Sequence, residues 1–153
     1  MAKKTLFRLQ FETDFRVVGV FCQEADYRIC WLINNQLGFN FKRVSDFSSF
    51  QSRLGAEAHF SVYHFSTETL QQDIFLVNNH SSEGTPLFTA PPGLDFLLLI
   101  KADQARFDYT GLLKNLRSIR PVTASYLIDD ALGRNKEPFL YDFEMFLAHE
   151  LKM

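Results

Sequence analysis

Cysteine is scarce in this 153-residue chain: Cys22 and Cys30 are the only two. Two thiols do not make a disulfide scaffold, and both are read as reduced in a cytoplasmic protein. Glycine is equally sparse. There are seven, and the closest pair, Gly84 and Gly93, stands nine residues apart. A dinucleotide fingerprint needs glycines two and three apart, and a P-loop needs two that are five apart. The G-x-S-x-G nucleophile elbow needs two that are four apart. All three are excluded. The chain also lacks a basic excess: 16 Lys and Arg against 18 Asp and Glu leave a net charge of −2. A phosphate-binding face needs clustered cations, so nucleic acid is not the expected partner. Long apolar runs are missing too. The longest, Phe96 to Ile100, is far short of a membrane span. After Lys3-Lys4 the residues alternate, with no signal-peptide h-region. The expectation is a cytoplasmic protein with neither leader nor membrane partner.

What remains is a chain with 46% hydrophobic residues, 17 of its residues being Phe. A chain of this mass buries roughly 70% of its unfolded surface. It needs no metal or cofactor to complete a core, and none is expected. Residues 1–153 read as a single domain.

The pattern along the chain is α+β: a mostly antiparallel sheet of about six to seven strands, with two to three packed helices. Leu6 to Phe11 alternates, and Arg16 to Cys22 is β-branched, which reads as a hairpin turning at Thr13-Asp14. Between Glu24 and Leu37, apolar residues recur at Ala25, Ile29, Leu32, Ile33 and Leu37, ending at Gly38, which reads as a helix. Strands are expected at Phe39–Val44, His59–Phe65, Asp73–Asn78, Leu94–Ile100 and Val122–Ile128. Ser45 to Ala56 is ambiguous. Asn79 to Gly93, with its Gly, Pro and Ser punctuation, reads as the longest loop. A second helix carries Tyr109, Leu112, Leu113, Leu116 and Ile119, and Pro121 stops it. A third has Pro138 at its first position and an apolar stripe from Phe139 to Leu151. That stripe either seals the sheet or packs against a second copy in a twofold dimer.

The candidate chemistry is thin. His59 and His64, on one expected strand, point to opposite faces and share no ion. A His59–His80–Glu83 grouping is the one metal arrangement to consider, against surface or hydrogen-bonded histidines. Cys22, just upstream of a helix N-terminus, reads either as a reactive thiol or as a small buried hydrophobe. Asp95 interrupts an apolar strand after Pro91-Pro92-Gly93. A carboxylate there must be capped, paired or exposed. The expectation is that it accepts from backbone N–H groups of the preceding turn, with Arg28 as a second partner.

Asp26-Tyr27-Arg28-Ile29-Cys30 with Ile33-Asn34 and Leu37-Gly38, then Leu94-Asp95-Phe96 opening a strand after a proline loop, resembles a small bacterial family named for an I-P-E-x-x-x-V-D-Y motif. Leu94-Asp95-Phe96 stands for V-D-Y. Pro92 stands where the motif has glutamate, and Pro91 to Asp95 is two residues shorter than the motif. The resemblance implies a shared fold and no activity.

Two functional readings follow. The first is a non-catalytic interaction or small binding module whose partner is another protein or a second copy. The second is an enzyme or small-ligand sensor, with a site between the Asn79–Gly93 loop and the start of the first helix. Its candidate binding residues are Asp26, Arg28, His80, Glu83 and Asp95. No catalytic residue is assigned.

Overall fold

The computed structural model describes residues 15–153. The expected strand Leu6–Phe11 and its turn therefore lie outside the described residues. Strand β1 is Arg16–Phe21, and it is paired on both sides.

Helix α1 follows at Asp26–Leu37 and ends on Gly38, whose φ of 73° supplies the left-handed cap. Strand β2 is only Lys42–Arg43, shorter than the expected Phe39–Val44. Asn34 explains the shortening. Its amide donates to Phe41 O and accepts from Phe41 N, so Phe41 pairs with a helix side chain instead of a strand.

Strand β3, Phe47–Gln51, and β4, Ala56–Phe60, form a two-stranded sheet. Strand β5, Val62–Thr67, belongs to the large sheet. The expected single strand His59–Phe65 is thus two, broken at Ser61. Strands β6 (Gln72–Asn78), β7 (Phe96–Lys101) and β8 (Ala124–Leu127) complete the large sheet. Its order is β2-β5-β6-β7-β1-β8, with every neighbour antiparallel. Helix α2 is Tyr109–Ser118, α3 is a single turn at Asp129–Leu132, and α4 is Lys136–His149. Pro138 is the third residue of α4, not the first.

The sheet is covered on both faces. Leu97 and Leu99 of β7 point to the side packed by α4 and β3–β4. Phe96, Leu98 and Ile100 point to the side packed by α1 and α2. Hence β7 is continuously apolar although antiparallel; the usual alternation marks a sheet with one wet face. The α4 stripe is spent internally. Phe143 is fully buried, with its ring 5.2 Å from Phe75, 5.6 Å from Phe47 and 6.2 Å from Phe15. Each such Phe contributes roughly 1.5–3 kcal/mol by burial. Of the two alternatives for the third helix, it seals the sheet.

Candidate functional site

Asp95 sits where β7 begins, a fifth of its side chain exposed. Its Oδ2 accepts from Cys22 N at 2.7 Å, and His80 Nε2 lies 3.4 Å from Oδ1. The carboxylate thus ties the end of β1 to the start of β7. The expected backbone acceptance holds, but the donor is Cys22, just past the end of β1, and not the Pro-Pro-Gly turn. Arg28 is no partner. It is exposed, and its guanidinium lies 5.2 Å from the centre of the Trp31 ring.

The other candidates separate into unrelated contacts. Asp26, in the first turn of α1, accepts from Tyr63 Oη at 3.2 Å and lies 3.8 Å from Arg43 Nη1. Burial, and then the nearby Asp26 charge, push the Tyr63 hydroxyl up to about 12. Glu83 accepts from both Nδ1 and the backbone N of His59, at 2.7 and 3.1 Å. The hydrogen bond to Glu83 raises the His59 pKa. Glu83 is lowered by Ser82 Oγ, which donates at 2.6 Å, and then by His59. So His59 and Glu83 meet, while His80 turns to Asp95. His64, on β5, pairs with Asp73 at 2.8 Å. His59 and His64 are kept apart by lying on different sheets, not by opposite faces of one strand. Among the described residues, no three His, Cys, Asp or Glu side chains group as a metal site.

Cys22 is buried, and desolvation raises its pKa. Burial likewise pushes Cys30 up to about 11. Cys22 is 1% exposed, which fits the buried hydrophobe of its two readings.

Sequence reasoning missed Asn79, which is almost wholly buried at the root of the 79–93 loop. Its side chain donates to Phe88 O and Leu94 O and accepts from Phe88 N. Its backbone N donates to Asp95 O, and its O accepts from Leu87 N. One side chain closes the whole loop. An Asn beside another Asn at a strand end was the only signal, and it reads as ordinary loop punctuation.

A wide cavity lies elsewhere. It is a groove of about 770 Å³ between the end of α1, the β5–β6 turn and the start of α2, lined by Leu37, Phe39, Phe65, Leu70 and Phe107 among others. It stands at the far end of β6 from the 79–93 loop. None of Asp26, Arg28, His80, Glu83 and Asp95 lines it. What α1 does display is an exposed trio on one turn: Tyr27, 71% exposed, Arg28, and Trp31, 53% exposed.

Comparison with protein-family models, with curated proteins and with solved structures found no match to this chain.

Proposed function

We propose that this protein is a non-catalytic interaction module of the cytoplasm that binds a protein partner through the outer face of α1. One observation carries the reading: Tyr27, Arg28 and Trp31 stand together in solvent, with the guanidinium already over the indole. Tyr, Arg and Trp are the residue types that dominate binding energy at protein interfaces. An indole half in water forgoes burial that a partner surface restores. The candidate polar groups support the same reading, since Asp26, His80, Glu83 and Asp95 each hold neighbouring elements together. Kinship with the I-P-E-x-x-x-V-D-Y family is likewise proposed on the residues quoted above, and adds no activity.

Cross-linking followed by mass spectrometry tests the reading. The wild type and a Leu70→Ala control, altered at another exposed apolar residue, should yield the same cross-linked protein. Tyr27→Ala with Trp31→Ala should lose it while keeping its circular dichroism. Equal yields from the double variant would overturn the reading. Sedimentation of the purified chain separates a foreign partner from a second copy.

A small-ligand sensor is the second reading, favoured by the 770 Å³ groove, which falls within the usual size of ligand sites. Asn115→Trp fills that groove from α2. It would abolish ligand-induced thermal shifts and leave the α1 interaction intact.

A further inference from the structure

The sheet edges differ in how they are guarded. Strand β2 is two residues long and both are basic. Strand β8 is four residues long, and Arg117 Nε donates to its Ser125 O at 2.9 Å. The outer side of β4 is taken by the 79–93 loop, through Ser82 N to His59 O and through Glu83. Among the described residues, strand β3 has no such guard. Its sequence, Phe47-Ser48-Ser49-Phe50-Gln51, holds neither charge nor proline. Among the described residues, Phe47 to Phe50 make no backbone hydrogen bond outside the β3–β4 ladder. Natural sheets blunt a free edge with Lys, Pro or a bulge, because alternate N–H and C=O groups there recruit another strand.

Beside this edge, between β3 and α4, run two adjoining cavities of about 420 and 400 Å³ that share Phe47 and Asp142. The second is lined by Phe47, Met145 and Phe146 together with Asp46, Asp142, His149 and Glu150. Asp142 and Glu150 are exposed, and neither has an ion pair among the described residues. On the other face of β3, Phe50 is 66% exposed.

We propose that the β3 edge is a second docking surface, which takes an extended basic segment of a partner protein as an added strand. Main-chain groups of β3 supply the hydrogen bonds, and the alternate side chains supply selectivity. Lysine or arginine on the trough side lays its methylene stem on the exposed Met145 and brings its cation to Asp142 and Glu150. An apolar residue on the opposite side lies beside Phe50. The favoured segment therefore alternates basic and apolar residues. This surface does not depend on the α1 face, and its test does not touch that face.

The probe is a capped octapeptide of alternating valine and lysine, titrated into the full chain, with a valine–glutamate octapeptide as control. The lysine peptide should bind and shift the amide resonances of Phe47–Gln51, and the glutamate peptide should not bind. Asp142→Lys with Glu150→Lys changes two exposed residues and should weaken lysine-peptide binding about tenfold, the worth of two exposed ion pairs. Failure of the lysine peptide to bind, or equal binding by the charge-reversed variant, would overturn the proposal. So would a dimer in sedimentation with the Phe47–Gln51 amides protected from exchange, since a second copy would then hold the edge.

Discussion

Asp95 shows how much one carboxylate does at an element end. Its Oδ2 holds the Cys22 N–H that β1 leaves unpaired as it turns toward α1, at 2.7 Å. Asp95→Asn keeps the shape and a carbonyl acceptor but loses the charge. It should cost about 1–3 kcal/mol, the range for a partly buried hydrogen bond to a charged group. Asp95→Leu should cost as much or more, because the Cys22 N–H is then left without an acceptor. Urea unfolding of both variants checks this, and wild-type midpoints in both would show that the carboxylate is not structural. The need for a capped carboxylate was legible from Asp95 breaking an apolar run. The donor was not, because Cys22 lies 73 residues away in the chain. Asn79 was illegible for the same reason: an amide that bonds Phe88 and Leu94 has meaning only once the loop has closed around it.

At the scale of elements, the His59–Glu83 contact fastens β4 to the 79–93 loop, and its strength depends on pH. His59 is raised from its ordinary 6.5. Its contribution is fully present below that value and is lost as pH rises through the higher folded one. Glu83 is lowered from its ordinary 4.5. Its contribution is present above that value and is lost as pH falls through the lower folded one. Both act together between the two ordinary values. Proton NMR of the His59 ring should give a midpoint above 6.5 in the wild type, falling back toward 6.5 in Glu83→Gln. An unshifted midpoint in that variant would mean that the contact does not govern His59. The helices were the most legible elements, since α1 and α2 show their apolar period and their stop signals at Gly38 and Pro121. Strand ends were the least. Nothing local marks Ser61 as the point where the chain leaves one sheet for another, because both sides of it are equally apolar. Asp108 at the start of α2, which accepts from Gly111 N at 2.9 Å, was a readable N-cap that the apolar pattern alone overlooked.

For the whole molecule, stability comes from two apolar layers, one on each face of the central sheet. The expectation that no metal supplements them is checked by chelator treatment, which should leave the melting temperature unchanged. A fall of several degrees that zinc restores would overturn this. The sequence by itself determined the α+β class, the three long helices, the doubly buried β7 and the exclusion of phosphate-loop and nucleophile-elbow chemistry. Each of these rests on local period, composition or glycine spacing, which neighbours in the chain decide. Only the tertiary structure decided the strand order, the closing of the 79–93 loop by Asn79, and the meeting of His80 with Asp95 while Asp26, Arg28 and Glu83 go elsewhere. Among the described residues, it alone left β3 with an open edge beside unpaired carboxylates. These depend on which distant segments meet, and that is decided by the burial of both sheet faces at once, a condition no single stretch of sequence contains.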